Sequence, residues 1–136
     1  MISAAEAAQR PLTTDDEIVE RVGELVGAAI RRQVWLLLLD ERDVQLPVLI
    51  PVDGLPPWPG DEGHVFARHV ADAVYDTAVA RVLVVWERPG RAALDDEDRA
   101  WAREIALGFA RADLAVRGQL LSHDRGVRWL RPDEYV

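Results

Sequence analysis

The chain has 136 residues, 49% hydrophobic and 29% charged, with no cysteine and a formal net charge of -8. That size and mixture suit one soluble globular domain with its own core, and the lack of cysteine excludes disulfides, a thiolate nucleophile and cysteine-held zinc. The acidic balance argues against a general grip on nucleic acid or on an anionic membrane surface.

Residues 1–13 read as a flexible tail. Met1 to Gln9 has neither a basic flank nor an apolar stretch, so no secretory signal is expected. Thr14 is placed to cap a helix, with Glu17 completing a capping box. Ile18, Val22, Leu25, Val26, Ala29 and Ile30 recur at helical spacing, which predicts a helix over 15–31 with Arg31 and Arg32 in its last turn. The run 34–39 is the longest wholly apolar stretch, far too short to span a bilayer, and reads as a buried strand. A polar turn over 40–43 leads to a second strand over 44–50, making a hairpin with Pro47 at an edge or bulge. A Pro/Gly-rich loop over 51–63 carries Trp58 between prolines.

The stripe Val65, Phe66, His69, Val70, Ala73, Val74 and Ala78 predicts a helix over 62–79. The third strand, 82–86, is apolar throughout and therefore central, covered on both faces. Asp95 is a natural cap for a helix running to about Leu114, with Asp98 at its third position. Strands over 118–122 and 127–130 follow, with a turn between them. The outcome is a single α/β domain over 14–131, a mixed sheet flanked by helices in the order α-β-β-α-β-α-β-β, and a short tail over 132–136.

No strong catalytic motif is present. His64 and His69 are five residues apart, on different helical faces, and His123 falls in a turn, so no metal site is expected. Ser122 and His123 are adjacent in sequence, and neighbours along an extended chain point to opposite faces, which rules them out as a dyad. All the basic residues are arginine, which excludes lysine Schiff-base chemistry and a phosphate-loop lysine. Trp35, Trp86 and Trp101 are expected in the core. Trp58 either folds back onto the domain or anchors a protein partner. Arg125, Arg128 and Arg131, with Trp129 and Tyr135 among them, read as a solvated strand end rather than a nucleic-acid patch, given the overall charge.

The strand 82–86, the loop Glu87-Arg88-Pro89-Gly90-Arg91 and the helix opening Asp95-Asp96-Glu97-Asp98 form the most informative stretch. With the hairpin before it and the strand pair after it, this stretch resembles the JAB/MPN domain, most closely the bacterial RadC-type version, which has cytidine-deaminase-like layering. The resemblance covers about a hundred residues. It places the family's zinc-binding aspartate on Asp98 and, with a loop one residue shorter, its serine on Asp95. The two metal histidines fall on Trp86 and Arg88, and the stretch 46–50, where the catalytic glutamate should lie, has no acid. Guanidinium is no zinc ligand, and indole offers only an N–H donor.

The resemblance therefore implies a metal-free, non-catalytic interaction or scaffold domain with no cofactor and no catalytic residue. It also implies a homodimer, since such domains are often paired. Cytoplasmic residence is expected by default. Two alternatives use the same loop. A small-molecule or anion-binding module on the loop 86–95 would draw on Trp86, Glu87, Arg88, Arg91, Asp95 and Asp98; Arg88, Arg91 and the free N–H groups of the third helix could hold an anion, opposed by the acids at the helix start. Glu87 and Asp98 could act as an acid/base pair in a hydrolase, although Glu87 pairing with an arginine and Asp98 favouring the helix end is the simpler expectation.

Overall fold

The computed structural model describes residues 10–136. The elements are α1 (Asp15–Leu25), β1 (Gln33–Leu39), β2 (Gln45–Val52), α2 (Glu62–Val74), β3 (Arg81–Glu87), α3 (Asp96–Arg111), β4 (Ala115–His123) and β5 (Gly126–Trp129), followed by a 3-10 turn at Pro132–Glu134. The fold is the expected α/β arrangement, a mixed five-stranded sheet in the order β2-β1-β3-β4-β5. Only β3 and β4 run parallel; the other pairs are antiparallel.

Side-chain alternation assigns the two faces. Val34, Leu36, Leu38, Val82 and Val84 point towards α2 and α3, where they meet Ala67, Trp101, Ile105 and Phe109. Leu37, Leu39, Leu83, Val85 and Leu120 point the other way, towards Ile18 and Val22 of α1. Val82 to Val85 are all fully buried, which explains why β3 lacks a polar face.

All three helices are shorter at the C-terminus than their periodicity predicts. α1 stops at Leu25 because Gly27 turns in the left-handed region (φ 71°), leaving Arg31 and Arg32 in the following loop rather than at a helix end. α2 stops at Val74 and α3 at Arg111, with Asp76 (φ 59°) and Asp113 (φ 58°) turning the chain soon afterwards. Aspartate is one of the few residues that tolerates this conformation, and neither position carries a glycine to mark the stop. Val65 and His69 are exposed, because the packed face of α2 is centred on Gly63 and Ala67.

The predicted tail falls mostly outside the described residues, but its end does not. Pro11 bridges to Val44, and Leu12 is only 2% exposed in the α1-side core. At the other end, Glu134 accepts from both Nη atoms of Arg128 at 3.0 and 2.9 Å, so the 3-10 turn is tied to β5. On the outer strand β2, Pro47 and Pro51 remove two backbone donors and weaken that edge as a template for another strand.

Candidate functional site

β3 ends at the centre of the sheet, beside the start of α3, and the site grows from that junction. Glu87 is the last residue of β3 and is 2% exposed. It does not pair with an arginine side chain. Its Oε2 accepts from the backbone N–H groups of Ile30 (2.8 Å) and Arg31 (3.2 Å). Its Oε1 accepts from Gln33 Nε2 (2.8 Å) and Trp35 Nε1 (2.9 Å). Burial alone pushes this carboxyl up; the four donated hydrogen bonds outweigh it and hold the group below the ordinary glutamate value of 4.5. A carboxylate saturated in this way is a poor general base, which weighs against the acid/base pair.

Arg88 points to the α3 side. Its Nε and Nη2 donate to Asp98 Oδ2 at 3.1 and 2.8 Å, Nη2 also reaches the Ala93 carbonyl at 2.7 Å, and Nη1 reaches the Arg91 carbonyl. Asp98 and Asp95 form a reciprocal capping box: Asp98 N–H donates to Asp95 Oδ1 at 2.8 Å, and Asp95 N–H donates to Asp98 Oδ2 at 3.0 Å. The loop between β3 and α3 is further held by Gly90 N–H on Asp124 Oδ1 (2.8 Å) and by Arg128 Nε on the Ala92 carbonyl (2.8 Å). The Arg91 side chain is exposed.

Trp86 also faces α3. Its Nε1 donates to Gln119 Oε1 at 2.7 Å, and its ring lies 5.9 Å from that of Trp101. Trp86, Glu87, Arg88 and Asp98 therefore border one pocket, but its volume is only about 30 Å³. At about 10–15 Å³ per ordered water, that is room for about two waters. A drug-sized ligand requires a cleft of roughly 300–1,000 Å³. Among the described residues no group of three or more His, Cys, Asp or Glu could hold a metal. The side chains onto which the resemblance carries a zinc site do not fit the ion. Trp86 and Arg88 offer no lone pair, and Asp98 is taken by a guanidinium.

Sequence reasoning missed Gln33, Trp35 and Gln119, the residues that satisfy Glu87 and Trp86. The available signal was a glutamine at the start of one apolar strand and another inside β4, since a buried amide needs a partner. Replacing Arg88 by Ala is expected to cost about 2 kcal/mol, because it leaves a mostly buried Asp98 and two loop carbonyls without their donor. Thermal melts check the loss, and faster proteolysis within 88–95 checks its location.

Trp58 is 55% exposed and does not fold back onto the domain. Its loop is nevertheless held firmly. Arg32 donates to the carbonyls of Leu55 (2.6 Å) and Pro56 (3.1 Å), and Trp101 Nε1 donates to Pro56 at 2.9 Å. Pro59 is buried and accepts from Glu62 N–H at 2.7 Å. Near the C-terminus, Arg128 is bound to Glu134 and Arg131 lies 3.5 Å from Asp133, so two of the three arginines there already face acids.

No helix among the described residues is long and apolar enough to cross a membrane. No family model, curated protein or solved structure matches the chain.

Proposed function

We propose that this chain is a non-catalytic protein-interaction or scaffold domain of metal-free JAB/MPN type, cytoplasmic and self-associating as a homodimer, with Trp58 as an anchor at its contact surface. Trp58 carries the reading. A large indole stands in solvent on a loop fixed by three side-chain hydrogen bonds and by prolines that restrict φ. Such an anchor loses little conformational freedom on binding, and tryptophan is enriched among residues that dominate interface energies.

The β3–α3 junction supports the non-catalytic part of the reading. Arg88 and Asp98, on which the resemblance puts a metal histidine and the metal aspartate, are paired with each other, and Glu87 is committed to the loop before β1. The small volume of the pocket there favours a protein partner over a ligand in the 86–95 loop.

Sedimentation of the purified chain and of Trp58→Ala tests the proposal. Removing the indole is expected to weaken association by about 2 kcal/mol, roughly thirtyfold, while leaving unchanged the thermal melt of the dissociated chain, measured at high dilution. A single-chain mass for the wild type at all concentrations sinks the dimer, and equal association of both proteins removes Trp58 as the anchor. Stoichiometric zinc in the purified protein overturns the metal-free reading.

A further inference from the structure

A second cluster of charged side chains lies on α2 and on the C-terminal half of α3, and includes none of the side chains that hold the β3–α3 loop. Gly63, Ala67 and Gly108 let α2 and α3 approach closely. Next to that contact the helices leave a depression of about 160 Å³, lined by His64, Arg68, Gly108, Arg111 and Ala112. An ordered water needs about 10–15 Å³, so this depression has room for a tetrahedral oxyanion.

Its charges are incompletely matched. Among the described residues Arg68 has no hydrogen bond or ion pair, and Arg111 touches only His64 Nε2, at 3.2 Å. That same nitrogen lies 3.1 Å from Glu104 Oε2. The two contacts cannot both be hydrogen bonds. With a proton on Nε2, His64 donates to Glu104 and offers Arg111 nothing; without one, it accepts from Arg111 and turns a lone pair on the carboxylate. Whenever His64 serves Glu104, two guanidiniums are left without an acceptor, and one carboxylate stands against them.

We propose that this groove binds a phosphate group carried by a small molecule. Arg68 and Arg111 donate to the phosphate oxygens, and His64 donates its Nε2–H to Glu104, which shields the ligand from that carboxylate. The planar fork of arginine matches the spacing of phosphate oxygens, and hydrogen bonds between two charged partners are the strongest of their kind. The site shares no residue with the Trp58 surface and stands or falls separately from it.

Titration of the full chain with inorganic phosphate and with pyrophosphate at constant ionic strength, followed by amide NMR shifts, tests the assignment. Saturable shifts confined to 63–69 and 107–112 are expected. Arg68→Ala and Arg111→Ala, both at exposed positions, should keep the wild-type melt and bind at least about tenfold more weakly, the effect of losing a charge-assisted hydrogen bond. Arg111→Lys, which keeps the charge and loses the fork, should fall between. Shifts that never saturate, an equal response to chloride, or unchanged affinity in both alanine variants would overturn the site, the response then being that of an adventitious ion only.

Discussion

Glu87→Gln is expected to destabilise the fold by about 3 kcal/mol, lowering the melting temperature by roughly 10 °C. Each carboxylate oxygen of Glu87 accepts two N–H groups. A glutamine keeps one oxygen and replaces the other with an amide –NH2, a donor set against the two donors that oxygen had accepted from. Leaving a buried donor unpaired costs about 1–3 kcal/mol, and two are affected. The damage should spread through the loop joining α1 to β1, because among the described residues the backbone N–H groups of Ile30 and Arg31 donate only to this carboxylate.

The pH dependence has a definite sign. The folded-state pKa of Glu87 is depressed, so its contribution is present above the ordinary value of 4.5 and is lost as pH falls through the folded value. Glu134, held down by Arg128, shifts in the same direction. The gap in melting temperature between wild type and Glu87→Gln should therefore be constant near neutrality and shrink below the ordinary glutamate range. A gap that widens on acidification, or a variant that melts with the wild type at pH 7, would show that the four hydrogen bonds carry no net stability.

Gly108→Val is the second large effect, about 3 kcal/mol of overpacking. A Cβ at this position sits 2.8 Å from the Ala67 Cβ, 3.1 Å from the Gly63 carbonyl oxygen and 3.4 Å from the His64 Cα. Two of these three neighbours are backbone atoms and cannot rotate away. The helices must separate, carrying Phe66 and Val70 on one side and Ile105 and Phe109 on the other off the sheet. Gly108→Ala provides the graded comparison: it gains about 1 kcal/mol of helix propensity against a smaller clash. A urea midpoint that drops for valine with an unchanged slope confirms the reading; a valine variant as stable as wild type would mean that the two helices slide freely.

Much of this architecture was legible because burial writes itself into spacing. The apolar runs of β1 and β3, the cap of α1 at Thr14 and the cap of α3 at Asp95 all lie where the residues place them. The helix ends were not legible. At Asp76 and Asp113 a residue common on any surface adopts a backbone conformation usually marked by glycine. The candidate site was legible only in part. Trp86, Arg88, Asp95 and Asp98 do gather at the end of β3, but the loop near Ile30 that covers Glu87 and the Trp86–Gln119 bond arise from tertiary packing, which local pattern does not encode. The α2–α3 groove joins His64 to Arg111 across 47 positions, and no window of sequence displays that meeting.

Arg32, Arg81, Arg88 and Arg128 each clasp main-chain carbonyl groups of a neighbouring segment. A guanidinium presents several donors in one fixed plane, so a single side chain can hold two carbonyl groups at once. The chain has no lysine, so reagents that acylate amines meet no side-chain amine and leave these clasps in place.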